Sequence, residues 1–479
     1  MKNMPPNVVR ACVLLAIAAF VFAVSGRIGF DFELEWQEGG MLQHAQRFTE
    51  GKPIYGEPSL DFAAFPYPPL FHWVSAALLA VGLDGLMAAR LVSVLATVGI
   101  CVLLYRMSAQ AAGALAGLAS IGLYLASYRF AGAWMDLGRV DSLCLFLMLA
   151  GTQVSRRQSI QAACVAGCLF ALAVLTKQIA VPVALALGLV HVATHRKRGA
   201  AFLITWLVSL ALVSLVLELN SGGWFRWYVI DMMAGHARHA PAITGFWREI
   251  GITYSPLLTL SLIWFMLAGR SGLALSRETL AVCLALVLVA FLSRIHVGGY
   301  DNTLLPACLA LAWIGGPVLA RAIEAGNWRS SMAAALCVAQ FGLLAYDPRA
   351  QWPSEEDAQY AQSWVETLEA VDGPVLAPYS VELARQAGKG SSVHAMSMID
   401  ILQSSDTERA RALVVALEQA LLSKRYHAIV LADTSWEIDL PALRTHYRRA
   451  TTPLDEAPPD AMRCATGAEH RPAVLYLRR

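Results

Sequence analysis

The sequence predicts an α-helical polytopic membrane protein of about eleven spans with interfacial helices and a small C-terminal α/β extracytoplasmic domain. Three observations predict it. The 479 residues are 57% hydrophobic and 15% charged, with a mean hydropathy of +0.51, whereas soluble domains are about half apolar and a quarter charged. Apolar runs long enough to cross roughly 30 Å of hydrocarbon recur along the chain. After Tyr346 the character changes, and amphipathic patterns alternate with short β-prone runs.

A net charge of +2 and a pI near 8.1, with no Lys/Arg tract interleaved with aromatics, argue against nucleic-acid binding. Eight of the nine cysteines lie in apolar runs as small core residues, and only Cys464 lies in the polar C-terminal part. No disulfide framework or Cys-x-x-Cys metal site follows. Lys2 and Arg10 precede an apolar run from Ala11 to Val24. No small-residue cleavage site follows it, so it is expected to be an uncleaved first span.

The expected spans fall near 8–28, 86–105, 110–128, 141–155, 159–176, 178–194, 199–218, 252–269, 279–294, 302–320 and 330–346. Arg156 and Arg157, Arg196 to Arg198, Arg270 with Arg277, and Arg321 with Arg329 stand at alternate span ends. Short loops rich in Lys and Arg stay cytoplasmic. The N-terminus is therefore expected inside, with residues 29–85, 220–251 and 347–479 outside. Residues 69–83 are apolar but short, and read as an interfacial or re-entrant helix. The expected domains are 1–346 in the membrane and 347–479 beyond it. In the latter, helical patterns at 354–371, 379–387, 406–424 and 440–450 alternate with runs at 374–377, 391–395, 428–433 and 473–477, which predicts a largely parallel sheet.

The first outer segment opens with Asp31, Glu33, Glu35 and Glu38. Met41, Leu42, Ala45 and Phe48 recur at helical spacing, so an amphipathic helix begins close to Glu38. A carboxylate at a helix N-terminus is stabilised ionised, ready to accept a proton or hold a metal. Charge and spacing alone favour the plainer reading, a helix-initiating acidic cap on a solvated loop. Arg139 and Asp141 stand at the outer end of the fourth span, Lys177 and Gln178 between the fifth and sixth, and Arg294, His296, Asp301 and Asn302 between the ninth and tenth. Ionisable groups at such depths face a polar cavity or pair with each other, unless they snorkel. A cavity lined by Arg139, Lys177 and Arg294 suits an anionic lipid head group. In the second outer segment Trp224, Trp227, Tyr228 and Trp247 read as an interfacial aromatic belt. His236 and His239 form a His-x-x-His pair, a weak metal signal without further ligands.

Taken in order, EGGMLQHAQRFTEGKPIY from Glu38, YPPL at 67–70, AARLVS at 88–93, RVDSL at 139–143, LTKQIAVP at 175–182 and GGYDNTLLPACLALAWIGG at 298–316 resemble the GT-C class of polytopic glycosyltransferases. Within it the likeness is to bacterial relatives of protein O-mannosyltransferases and aminoarabinose transferases. The resemblance implies a sugar donor on a polyprenyl phosphate and an outward carboxylate in the first loop that activates the acceptor or organises the site. Many members carry Asp-Glu where this chain has Gln37-Glu38. Glu38 takes the role, or Glu35 or Asp31 does.

The expected function is transfer of a sugar, hexose or pentose, from a polyprenyl-phosphate donor to a lipid, glycan or protein acceptor on the outer face of a bacterial inner membrane. Glu38, Glu35 and Asp31 are the catalytic candidates, and Arg139, Lys177 and Arg294 the donor-phosphate ligands. Asp141, Gln178, His296 and Asn302 are the substrate-binding candidates. No metal ligands are assigned, and a divalent-metal requirement stays open. A transporter or lipid flippase is the rival, with scattered intramembrane charges as its pathway. The absence of an internal repeat and the crowding of polar residues to one face count against it. A catalytically inactive scaffold is the third reading.

Overall fold

The computed structural model describes residues 4–479 apart from 236, 274, 454, 456, 458–460, 463 and 464, so the expectations for His236 and Cys464 lie outside the described residues. The eleven apolar stretches all fall on helix. They are α1 (Met4–Ser25), the two limbs of α4 (Gly85–Ala126), α5 (Val140–Ser155), α6 (Ile160–Thr176), α7 (Ala180–Thr194), α8 (Arg196–Ser221), α12 (Ser255–Leu273), α13 (Arg277–Arg294), α14 (Leu305–Glu324) and α15 (Asn327–Leu343). Between them lie α2 (Glu38–Thr49), α3 (Leu70–Ala80), α9 (Trp224–Arg226), α10 (Met232–Ala234) and α11 (Pro241–Thr253).

These helices are unequal. Among the described residues four helices are long and apolar enough to cross a bilayer alone, and Pro241–Thr253 with Ser255–Leu267 passes the same test as a pair bent by 77°. Helices α5, α6 and α7 are apolar but shorter, so a count of eleven full spans is not established. In α4 the helical geometry breaks at Ala112 and Gly113, whose φ of 78° favours glycine. The two limbs fold back on one another there, with Ser120 Oγ 2.8 Å from Ser108 Oγ.

Burial sorts the helices. Nearly all of α14 is buried against α4, α12, α13 and α15. In α8 only Gly199, Phe202 and Trp206 are buried, and Leu212, Leu215, Val216 and Leu219 project outward, as a lipid-facing surface requires. The arginine-bearing turns gather at one end of this bundle, where Arg156 Nη2 donates to Thr279 Oγ1 and Arg321 Nη2 to the Ala111 carbonyl. The C-terminal unit covers the opposite end.

That unit holds α16 (Glu355–Glu369), α17 (Val381–Gln386), α18 (Ala395–Gln403), α19 (Thr407–Leu422), α20 (Trp436–Asp439) and α21 (Pro441–His446). Ser354 and Asp357 form a capping box at the start of α16. Its four strands are β1 (Val375–Leu376), β2 (Ala428–Leu431), β3 (Tyr447–Ala450) and β4 (Val474–Arg478), in the order β1-β2-β4-β3. Among the described residues β1 and β2 pair in parallel, while β2 with β4 and β4 with β3 are antiparallel. The expectation of a largely parallel sheet is therefore corrected. The run at 391–395 is not a strand, and the pattern at 440–450 divides into α21 and β3.

The unit does not close its core by itself. Ile54, Tyr55, Phe62, Phe225 and Tyr228 from the loops between the apolar helices share one apolar cluster with Leu376, Met398, Leu417 and Tyr476. Backbone contacts add to this, with Val393 N donating to the Leu60 carbonyl at 2.9 Å. The apolar face of α2, with Met41, Leu42 and Ala45 fully buried, is accordingly seated on protein. It packs on α3, α4 and α17.

Candidate active site

Helix α2 begins at Glu38, as the spacing predicts, but this carboxylate has no vacant position. Its Oε1 accepts from Arg90 Nε at 3.0 Å and Gly138 N at 2.8 Å. Its Oε2 accepts from Arg90 Nη2 at 2.8 Å and Leu34 N at 2.9 Å. Four donors fill the four lone-pair directions of a carboxylate. Burial pushes the Glu38 carboxyl up, but the Arg90 guanidinium and the amide donors outweigh it and hold the group below its ordinary value. Of the three catalytic candidates, Glu38 is therefore the one whose oxygens are all taken up by protein donors. Arg90 also donates to the Arg27, Phe30 and Phe32 carbonyls. Arg27 pairs with Asp136 at 2.9 Å. The whole turn from residue 26 to 38 is thereby bound to the bundle.

Glu35 differs. It is fully buried, its Oε2 accepts from Arg139 Nη1 at 3.0 Å, and its Oε1 is buried with no hydrogen-bond partner. Burial pushes the Glu35 carboxyl up to about 7 against the pull of Arg139. Glu35 thus keeps a raised carboxyl, with one oxygen on Arg139 and the other unpaired. Asp31 is exposed, and its backbone carbonyl accepts from Gln386.

Arg139 caps α5 and is 3% exposed. Besides Glu35, it reaches Gln37 Oε1 and, through Nη2, Tyr67 Oη at 3.2 Å. Lys177, at the end of α6, pairs with Asp141 at 2.7 Å. Asn302 Nδ2 donates to the same carboxylate at 3.3 Å. The Arg139 Cζ and the Lys177 Nζ lie 5.9 and 6.0 Å from the Tyr67 ring centroid. Two of the three expected phosphate ligands therefore meet at one tyrosine.

The third does not join them there. Arg294 pairs with two carboxylates, Glu249 at 3.0 Å and Asp301 at 3.1 Å, whereas Arg139 and Lys177 each pair with one. His296 enters a backbone bridge with Arg238, beside that ion-pair group. Gln178 is structural in its contacts, donating to the Pro66 and Val229 carbonyls at 2.7 and 2.9 Å. Among the described residues no three His, Cys, Asp or Glu side chains group as a metal site. Arg90, Tyr67 and His394 escaped the reading of the sequence. A lone arginine inside an apolar span was the available signal for Arg90, and an aromatic before Pro68-Pro69 the one for Tyr67.

Residues 67–235 match the family described as dolichyl-phosphate-mannose-protein mannosyltransferase. No curated protein matches the chain. Among solved structures the chain is similar to ArnT from Cupriavidus metallidurans bound to undecaprenyl phosphate, with a TM-score of 0.60 and 13% identity over 93% of this chain and 96% of that one. It is also similar to the oligosaccharyltransferase AglB from Archaeoglobus fulgidus in complex with an inhibitory peptide and a dolichol-phosphate, with a TM-score of 0.53 and 10% identity over 94% and 73%. This is the GT-C fold. The matched segment starts at Tyr67 and takes in Arg90, Arg139, Asp141 and Lys177, while Glu35 and Glu38 precede it.

Proposed function

We propose that the protein is a membrane glycosyltransferase that moves a sugar from a polyprenyl-phosphate-linked donor to a hydroxyl of an acceptor on the outer face of a bacterial inner membrane. The observation that carries this reading is the buried Glu35 carboxylate, one oxygen vacant and the other 3.0 Å from Arg139. Arg139 meets Lys177 at Tyr67 in turn. A base and two cations at one place suit a reaction in which a proton leaves as a phosphate departs.

Glu35 takes the acceptor hydroxyl proton, the oxygen attacks the anomeric carbon, and the bond from that carbon to the donor phosphate breaks. Arg139 and Lys177 receive the charge that builds on the departing polyprenyl phosphate. Asp141 and Asn302 orient Lys177, and Glu38 with Arg90 holds the loop that carries Glu35. Arg294 and His296 belong to a neighbouring ion-pair group outside the reaction centre. Arginines at the far end of the bundle support an outward C-terminal unit spanning 347–479.

The test uses purified protein, a polyprenyl-phosphate sugar and an extract of envelope glycans and lipids. Release of polyprenyl phosphate that requires the extract and is lost in Glu35→Gln supports the reading. Unchanged release by Glu35→Gln removes Glu35 as the base. Vectorial movement of the intact donor across a vesicle, without cleavage, points to the flippase alternative.

A further inference from the structure

A cavity of about 950 Å³ opens between the Gly29–Phe32 turn, the start of α4, and helices α16 and α17. Its polar walls are Asp31, Asp84, Gln359, Gln362, Glu366 and Arg385. Arg385 is clamped on the buried Glu382 at 2.7 and 2.6 Å, so it brings no free positive charge. Phe30 and Phe32 form part of the wall, their rings 5.8 Å apart in an edge arrangement.

Phe32 and Glu382 also line a second, narrow cavity of about 40 Å³ that reaches Glu33, Trp36 and Pro472. Glu33 Oε1 is buried there with no hydrogen-bond partner. Burial, with Glu382, Glu38 and Glu35 nearby, pushes the Glu33 carboxyl well above its ordinary value. A ligand donor would relieve it. The inner cavity lies near Glu35, whose charge is felt at the Glu33 carboxyl that lines it.

We propose that the two cavities form one subsite for a hydroxyl-rich saccharide, uncharged or amine-bearing, which enters between the C-terminal unit and the first outer loop and ends at Glu33. Carboxylates and amides present planar sets of acceptors and donors, which match adjacent hydroxyls. The aromatic faces offer the apolar surface that one side of a sugar ring requires. Asp31, Asp84 and Glu366 repel phosphorylated or carboxylated ligands. Calling the saccharide the acceptor rests on the transferase reading, but the existence of the site does not.

The test measures binding to the full-length protein in lipid nanodiscs by native mass spectrometry. Maltotetraose, a tetramer of glucosamine and a tetramer of galacturonate serve as probes. Binding of either of the first two, at least about tenfold tighter than galacturonate, is expected. Gln362→Trp fills the outer cavity from an exposed position and should weaken that binding about tenfold or more, with thermal stability and polyprenyl-phosphate binding unchanged. Absence of binding by all three probes at millimolar concentration overturns the site, as does binding indifferent to Gln362→Trp. Saccharide binding that responds to Gln362→Trp in a protein that never cleaves a donor leaves the site standing and fells the transferase reading.

Discussion

Glu38 and Arg90 form a two-point ion pair, Nε to Oε1 at 3.0 Å and Nη2 to Oε2 at 2.8 Å, in which neither side chain is exposed to solvent. Such a pair repays its desolvation only through close geometry and further hydrogen bonds, and breaking it strands a buried charge. Glu38→Gln is expected to destabilise the protein by about 3–5 kcal/mol and to loosen the loop that carries Glu35. The Glu38 carboxyl sits below its ordinary value in the folded state. Its contribution is therefore present at neutral pH and fades only as pH falls through that lowered value. Thermal melting in detergent checks this, and a wild-type melting curve for Glu38→Gln removes the structural role.

Glu35→Gln is expected to behave in the opposite way. Transfer should fall by a factor on the order of a hundred or more, while melting stays close to wild type. With its carboxyl at about 7, the base form accumulates as pH rises, so kcat/KM should climb to a plateau above about pH 7. The same raised value means that ionising Glu35 costs folding stability, and this loss develops as pH rises from its ordinary 4.5 towards about 7. A pH–rate profile with no rising limb in that region would exclude Glu35.

Arg139 and Lys177 should show themselves in donor affinity. Charge-assisted hydrogen bonds contribute about 1.5–3 kcal/mol each, so Lys177→Ala should raise the donor KM about tenfold to a hundredfold. Arg294→Ala should leave donor KM near wild type, because its two carboxylate partners occupy the guanidinium. Titration with polyprenyl phosphate separates the two substitutions. Equal losses would bring Arg294 back into the donor site.

His394 ties the C-terminal unit to the loop beside Glu35. Its Nε2–H donates to the Trp36 carbonyl at 2.9 Å, and its Nδ1 accepts from Met396 N at 3.0 Å. Burial holds its imidazole down at about 3, so no titration of this contact is expected between about pH 5 and 8. His394→Ala should cost about 2 kcal/mol and speed amide hydrogen exchange around Trp36. Unchanged exchange there would mean that the unit does not brace the loop.

Orientation has a direct check. A cytoplasm-active reporter fused at Lys197 and an outside-active reporter fused at Arg479 should both give signal. The reverse pattern would place the C-terminal unit and the Glu35 site on the cytoplasmic side.

The start of α2, the short α3 and the positions of the apolar helices were legible because each depends on consecutive residues. Length, apolar content and a 3.6-residue period are local sums. Even there, the sequence overstated the sheet. Residues 391–395 have a β-prone composition, yet Val393 bonds to Leu60 and His394 caps α18, as loops from the membrane part supply their partners.

By itself, then, the sequence determined that the chain lives in a membrane, where its helices run, and that acidic residues cluster with scattered cations towards one face. Tertiary structure decided which carboxylate is vacant. Glu38 and Glu35 are three positions apart and equally acidic in composition. Glu38 loses its freedom to Arg90 and Gly138, 52 and 100 residues away, while Glu35 keeps one oxygen open beside Arg139, 104 residues away. The number of donors around a carboxylate depends on what packing brings to it, and no local pattern along the chain records that.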